Sequence, residues 1–171
     1  HNSDRRQRQM CIRDRFRTAA EVEAHIAEVL EGFAAIENLD CPSVILVDGI
    51  CVGGGLELAL AFDHIISIDD AACQFGFPEI SLGLLPGYGG SVRALERMGP
   101  EAAMKLVLHG RFLKAREAFD ANIVDHLVAS RDALADAARD AVAGEIERRA
   151  APGPSDMAAV SYTHLTLPTI A

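Results

Sequence analysis

Three consecutive glycines, Gly53–Gly55, lie between two apolar runs in the stretch DGICVGGGLELALAFD, residues 48–63. Glycine is the poorest ordinary residue for the interior of helices and strands, so a run of three indicates a close approach to the backbone. Where a strand turns into a helix, the first helical turn presents unpaired N–H groups and the positive end of the helix dipole. The glycines therefore predict a place where an anionic oxygen meets the main chain.

Three kinds of anion compete for such a turn. A dinucleotide pyrophosphate requires GxGxxG, whereas GGGLEL lacks the third glycine, and a P-loop requires Gly-Lys followed by Ser or Thr, which is absent. Neither Ser nor Cys follows the glycines, so the nucleophile elbow of serine hydrolases is not matched either. The remaining candidate is the oxyanion that forms when a carbonyl-conjugated substrate is attacked or deprotonated.

Two glutamates near this turn are candidates for acid–base chemistry. Glu57 stands in the otherwise apolar ELALAFD, and Glu79 follows Pro78 in the apolar FGFPEISLG. Each also has a simpler interpretation, because an acid in a first helical turn offsets the helix dipole and a turn glutamate can pair with an arginine. Two carboxylates in one apolar site have pKa values that split, so that one holds a proton while the other stays ionised.

Alternating helices and strands surround these motifs. Thr18 and Glu21 form a capping box, which predicts an amphipathic helix that ends near Asn38. Strands are predicted at 43–49, 64–69, 73–76 and 123–128, the first of them so apolar that both of its faces should be covered. Helices are predicted at 55–62, 90–98, 101–108, 114–121 and 130–149, with a loop-rich segment at 77–90. This order indicates an α/β fold with parallel strand pairings.

The composition narrows the classes of function. The chain of 171 residues has a net charge of -9, and six of its 16 basic residues lie in the first 17 positions. Such an acidic body argues against nucleic acid as a partner, and no apolar run is long enough to cross a bilayer. The four cysteines show no CxxC and the six histidines are scattered, so no metal site is predicted. We expect a cytoplasmic protein with reduced, buried thiols.

The two ends of the chain differ from its middle. Residues 1–15, HNSDRRQRQMCIRDR, and the string VSYTHLTLPTIA at 160–171 resemble translated sequencing-adapter strings. We therefore expect residues 1–15 to be a non-native leader, 16–150 to be the folded core, and 151–171 to be a breaker followed by a non-native tail. The alternative is a basic arm at one end and a hydrophobic tail at the other.

Three ordered motifs within residues 16–150 resemble the crotonase (enoyl-CoA hydratase/isomerase) superfamily. They are VDGICVGGGLELALAFDHII, FGFPEISLGLLPGYGGSVRALERMG and AREAFDANIVDHLV. The resemblance implies a crotonase-like spiral of β-β-α units, here truncated at both ends. It also implies a homotrimer or hexamer at full length, and an acyl-CoA thioester as substrate with no further cofactor.

The resemblance also assigns roles to particular residues. Gly54 would donate one N–H of the oxyanion hole, and Glu57 and Glu79 would match the two catalytic glutamates. Pro78 and Gly87 would help to bind substrate, with Gly87 near the position of the water. In hydratases of this family the residue matching Glu79 takes the main acid–base role. Glutamate at both positions favours hydration of a 2-enoyl-CoA to a 3-hydroxyacyl-CoA.

Several alternatives remain open at this stage. An enoyl-CoA isomerase or an acyl-CoA hydrolase would keep the oxyanion hole and use one glutamate, and a non-catalytic member would serve binding or assembly. Nothing in the chain matches the earlier β-β-α units that supply the second oxyanion donor, so we expect the fragment alone to be inactive. The stretch SIDDAACQ also makes the distance in sequence between Glu57 and Glu79 longer than is typical of the family. Tyr88 either lines the acyl pocket or packs against its loop, and His109, His126 and Arg93 are predicted to be surface or interface groups.

Overall fold

The computed structural model describes the backbone of residues 18–150 and the side chains of residues 18–147. The predicted leader, residues 1–15, and the predicted tail, residues 151–171, lie outside this range, so their assignment stays a prediction. Among the described residues, no helix combines the length and the apolar character that are needed to cross a membrane.

Helices and strands alternate through the described part of the chain. The helices are α1 Ala19–Glu37, α2 Gly54–Ala59, α3 Gly90–Met98, α4 Pro100–His109, α5 Ala115–Asp120 and α6 Leu134–Ala150. The strands are β1 Val44–Val47, β2 Ile50–Val52, β3 His64–Ile68, β4 Gln74–Gly76, β5 Leu113–Lys114 and β6 His126–Val128. Two 3-10 turns, Pro78–Leu82 and Arg131–Ala133, complete the order.

The strands form two small sheets. In the first sheet β3 lies between β1 and β6, and both pairings are parallel. In the second sheet β4 pairs in parallel with β2 and antiparallel with β5. Because β1 and β2 are separated only by Asp48 and Gly49, the chain passes from one sheet to the other at this bend. The glycine run follows β2 directly, so the second sheet positions the candidate site.

The core lies between these sheets and the helices α2 to α5. Its largest fully buried apolar side chains include Leu56 of α2, Ile65 of β3, Phe75 of β4, Phe77 and Ile123. Helix α1 is different, because none of its residues is fully buried. Its start is fixed locally instead, since the Thr18 hydroxyl accepts from the Glu21 amide and the Glu21 carboxylate accepts from the Thr18 amide.

Most predicted elements are confirmed, with some differences. The apolar run 43–49 is not one strand covered on both faces, because β1 ends at Val47 before the bend at Asp48 and Leu46 is 43% exposed. The strand predicted at 123–128 is shorter. Strands β2 and β5 were not predicted, since two or three residues leave no periodicity to read. Cys51 and Cys73 are buried as predicted, but Cys41 is exposed. Burial raises the pKa of the Cys51 thiol to about 11.

Candidate active site

The glycine run forms the turn between β2 and α2. Gly53 has a φ of 57°, which suits glycine, and its amide donates to the Gly76 carbonyl of β4 at 2.9 Å. Its carbonyl accepts from the amides of Leu56 and Glu57, which closes the first turn of α2. Gly54 and Gly55 are exposed, so the main chain at this turn is open to a ligand. The run is thus exposed at Gly54 and Gly55 and buried at Gly53, and the binding of an anionic oxygen there stays a prediction.

Glu57 is the buried carboxylate of the site, with only 1% of its surface exposed. Its Oε1 accepts two backbone hydrogen bonds, from the Tyr88 amide at 2.7 Å and the Gly90 amide at 2.9 Å. A buried carboxylate without such donors would be costly. The glutamate therefore does more than offset the dipole of its own helix, because residues more than 30 positions away hold one of its oxygens in place.

Gly90, the first residue of α3, is needed for this contact. A Cβ at this position would lie 2.5 Å from Cγ of Glu57 and 2.9 Å from Cζ of Phe77. Real Cβ atoms do not approach that closely, so any larger residue would push the start of α3 away from Glu57. The glycine pair of LPGYGG thus lets a helix N-terminus meet a buried carboxylate directly.

Glu79 approaches the same turn from the other side. It lies in the 3-10 turn that Pro78 begins, and its Oε1 would be 3.0 Å from a Cβ on Gly53. Its Oε2 is buried and has no hydrogen-bond partner among the described residues. Burial raises the pKa of Glu79, the hydrogen bond from its own amide lowers it, and the negative charge of Glu57 raises it further. The prediction that the two glutamates share one site is consistent with this geometry.

The other residues named from the sequence lie around this pair. The Tyr88 ring lies over the glycine turn, with Cε2 at 3.7 Å from where a Cβ of Gly54 would stand. It also meets His25 and Phe33 of α1 edge-on, each at 6.2 Å between ring centroids. Burial and the charge of Glu57 raise the pKa of its hydroxyl. Gly87 is exposed, with nothing within 4 Å of a Cβ built there.

Two further predictions can be compared with the structure. The longer stretch between the glutamates is taken up by a turn after β3, where the Asp70 side chain and carbonyl accept from the amides of Ala72 and Cys73. Arg93 was predicted as a surface or interface group, but its side chain is only 12% exposed. Its position, three residues after Gly90, which approaches Glu57, was the available signal that it belongs to the site.

One cavity lies away from this turn. It is an open cleft of about 510 Å³ between β3, β6 and α6, with His64, His126 and Glu145 among its lining residues. His64 Nε2 is 3.7 Å from the buried Glu145 carboxylate, which is beyond hydrogen-bond distance. Within residues 18–147 no three His, Cys, Asp or Glu side chains come together in a way that could hold a metal ion.

The arrangement at the glycine turn can support proton transfer beside an exposed stretch of backbone. One carboxylate oxygen is fixed by two amides, while the second glutamate has a buried free oxygen and a raised pKa. Groups whose environments differ in this way are suited to divide the acid and base roles.

Known proteins resemble this chain in sequence and in fold. The family model described as enoyl-CoA hydratase/isomerase matches residues 9–153, a range that includes part of the predicted leader. The fatty acid oxidation complex subunit alpha of Vibrio vulnificus (strain CMCP6) is 42% identical over 112 residues, which is 66% of this chain and 16% of that protein.

Solved structures are similar over about three quarters of the chain. An enoyl-CoA hydratase from Thermoplasma volcanium GSS1 has a TM-score of 0.69 and 29% identity, over 74% of this chain and 50% of that one. A structure from Hyphomonas neptunium, described as a putative enoyl-CoA hydratase/isomerase family protein, has a TM-score of 0.68 and 33% identity, over 76% and 48%.

The chain thus spans about half the length of these structures and a smaller share of the curated relative. The predicted α/β, crotonase-like fold is confirmed over the matched region. With the family model covering most of the sequence and the buried Glu57 beside its glycine turn, the chain belongs to the enoyl-CoA hydratase/isomerase family.

Proposed function

We propose that these residues belong to an enzyme that hydrates a 2-enoyl-CoA to a 3-hydroxyacyl-CoA, with Glu57 and Glu79 as its acid–base pair. The observation that carries the proposal is the unequal environment of the two carboxylates. Glu57 has an oxygen fixed by two amides, and Glu79 has a raised pKa and a buried oxygen free of protein partners. One group can therefore orient a water while the other exchanges a proton.

The proposed reaction balances without any other reagent. The water oxygen bonds to Cβ of the enoyl group, and the π electrons of the Cα–Cβ double bond move onto the thioester oxygen. The proton lost by the water passes to the Glu79 carboxylate. Glu79 then returns a proton to Cα as the enolate collapses, so both glutamates end in their starting states.

The thioester oxygen carries the charge that develops during this reaction. In the proposal it lies against the Gly54 amide, which is exposed at the first turn of α2. A backbone donor aimed at such an oxygen contributes about 100- to 1,000-fold to the rate in other enzymes. Pro78 fixes the chain before Glu79, and Gly87 lies on the exposed loop beside Tyr88. The acyl-CoA is the substrate, and the proposal requires no cofactor and no metal.

Further parts of the proposal concern the whole protein. We place it in the cytoplasm, and from the family resemblance we expect a homotrimer or hexamer at full length. We propose no nucleic-acid partner, because the body of the chain is acidic. We propose no membrane partner either. An enoyl-CoA isomerase or an acyl-CoA hydrolase of the same superfamily is the alternative activity, and a non-catalytic binding protein is the alternative class.

The test follows loss of the conjugated enoyl absorbance of crotonyl-CoA, in a full-length protein that contains this chain. We expect turnover by the wild type and a fall in kcat of about 100- to 10,000-fold in Glu79→Gln. The matched control is Glu101→Gln, because Glu101 is 84% exposed and pairs with Lys105 one turn further along α4. It should keep the wild-type rate.

Three outcomes would contradict the proposal. Conversion of 3-enoyl-CoA to 2-enoyl-CoA without hydration would identify an isomerase. Release of a free CoA thiol would identify a hydrolase. Binding of acyl-CoA without any turnover would leave a binding protein with the same fold.

A further inference from the structure

Arg93 makes three contacts that together tie the loop before α3 to α1. Its Nη1 donates to the Tyr88 carbonyl at 2.7 Å, and its Nε forms an ion pair with the Glu37 carboxylate. Its guanidinium carbon lies 5.5 Å from the centroid of the Phe33 ring. Phe33 and Glu37 are one turn apart on α1, so the guanidinium is held against a single face of that helix.

The contact with Tyr88 reaches the candidate catalytic carboxylate through one residue. The Tyr88 carbonyl accepts from Arg93, while its amide donates to Glu57 Oε1 at 2.7 Å. The Arg93 amide also donates to the Gly89 carbonyl at 3.1 Å, within the first turn of α3. The short segment Tyr88–Gly90 therefore forms hydrogen bonds with both Arg93 and Glu57.

Gly89 leaves space for the guanidinium of Arg93. A Cβ at this position would lie 2.6 Å from Nη1 of Arg93, and the φ of Gly89 is 85°. A larger residue would both strain the turn and displace the guanidinium from the Tyr88 carbonyl. The two adjacent glycines thus serve different neighbours, Gly89 the arginine and Gly90 the glutamate.

We propose that Arg93 is a positioning residue, which holds the amides of Tyr88 and Gly90 on Glu57 and so fixes the orientation of that carboxylate. This inference rests on the proposed function, because it assigns Arg93 to the reaction that Glu57 is proposed to catalyse. Arg93 acts through the backbone of the loop and is not itself a catalytic residue.

A matched arginine elsewhere in the chain separates this role from simple stabilisation. Arg116 of α5 also pairs with a carboxylate, Asp69, and its guanidinium carbon lies 5.8 Å from the centroid of the Phe119 ring. It therefore shares two of the three kinds of contact that Arg93 makes, but not the hydrogen bond to the Tyr88 carbonyl that connects Arg93 to Glu57. Arg93→Met and Arg116→Met each remove one ion pair and one ring contact, although Arg116 is 57% exposed and Arg93 only 12%. Only Arg93→Met removes the donor to Tyr88.

The first measurement is amide hydrogen exchange at Tyr88 and Gly90, which needs no activity. It is made by NMR on a full-length protein that contains this chain. We expect exchange at both amides to accelerate about tenfold or more in Arg93→Met and to stay unchanged in Arg116→Met. Arg93→Lys keeps the charge but has a single nitrogen for two partners, so it should lie between the wild type and Arg93→Met.

The second measurement is crotonyl-CoA hydration. We expect kcat to fall about 10- to 100-fold in Arg93→Met, with KM changed less than about threefold, because a misplaced carboxylate affects the transition state more than binding. In the Glu57→Gln background the same change should have little further effect, since both act through one group.

The outcomes separate the two proposals. Unchanged amide exchange in Arg93→Met, or a full additional loss of rate in the Glu57→Gln background, would overturn the role of Arg93. An inactive wild type, or full activity in Glu57→Gln, would overturn the proposed function instead. In that case the exchange data would still decide whether Arg93 holds the loop.

Discussion

Two nearly fully buried glutamates in this chain lie in different surroundings. Glu57, 1% exposed, has one oxygen fixed by two backbone amides and lies beside the glycine turn. Glu145, 4% exposed, faces His64 Nε2 at 3.7 Å beside the open cleft of about 510 Å³. Burial of the carboxylate therefore does not distinguish the two glutamates, whereas their surroundings do.

The difference lies in what holds each carboxylate. The donors to Glu57 are main-chain groups, which cannot change protonation and whose positions are set by the start of α3. The His64 Nε2 that lies 3.7 Å from the Glu145 carboxylate belongs to a side chain, not to the main chain. Glu57 also raises the pKa of a second carboxylate, that of Glu79, whose free oxygen is buried. In the proposed reaction Glu57 therefore orients the water and Glu79 transfers the proton, whereas Glu145 has no proposed part.

Among changes that leave both glutamates in place, the largest effect is expected from one that disturbs the amide donors to Glu57. Gly90→Ala places a Cβ 2.5 Å from Cγ of Glu57, so α3 must shift. We expect the free energy of unfolding to fall by about 1–3 kcal/mol and the hydration rate to fall about 100-fold. Denaturant unfolding and steady-state kinetics measure the two effects.

Gly32→Ala is the matched control for that change. Gly32 lies inside α1 with nothing within 4 Å of a built Cβ, so alanine should raise helix stability by about 0.5–1 kcal/mol and leave the rate unchanged. A Gly90→Ala protein with wild-type activity would mean that the contact between α3 and Glu57 is not needed for the reaction.

Glu79→Gln is expected to have a smaller effect on the stability of the folded protein. Because the folded-state pKa of Glu79 is raised, folding disfavours its ionised form above that pKa, and this cost disappears below the ordinary value of 4.5. At neutral pH the glutamine variant should therefore have a higher Tm than the wild type and a free energy of unfolding that is larger by less than about 1 kcal/mol. At acid pH it should be no more stable than the wild type. Melting curves at both pH values measure the difference.

Glu101→Gln is the control, because the pKa of Glu101 is shifted in the direction opposite to that of Glu79. A hydrogen bond from Lys105 and its positive charge lower the pKa of Glu101, so its ionised form is favoured on folding above pH 4.5. That variant should gain nothing at neutral pH. A Glu79→Gln protein that is less stable than the wild type at neutral pH would show that the carboxylate is satisfied in the folded state.

Local patterns predicted the elements and the two glutamates. The capping box at Thr18 fixed the start of α1, and helical periodicity located α3, α4 and α5 to within about two residues. Glu57 and Glu79 were identifiable because each is a charged residue in an apolar run. Such signals are contained within a short stretch of chain, so no tertiary information is required to detect them.

The features that the sequence did not predict depend on contacts between residues that are far apart in the chain. The amides of Tyr88 and Gly90 reach Glu57 across more than 30 residues, and the Arg93 pair with Glu37 spans 56. Every residue except proline has a backbone N–H, so the residue type does not show which amides donate to Glu57. The residue type also does not show whether an arginine on a short helix is exposed or buried. The His64–Glu145 contact was likewise not predictable, because α6 meets β3 only in the folded chain.

The central claim is that Glu57 takes part in the reaction and Glu145 does not, although both are buried. The most direct test compares Glu57→Gln with Glu145→Gln for crotonyl-CoA hydration, in a full-length protein that contains this chain. We predict a loss in kcat of about 100- to 10,000-fold for Glu57→Gln and a change of less than about threefold for Glu145→Gln. Equal losses in the two variants, or full activity in Glu57→Gln, would contradict the account.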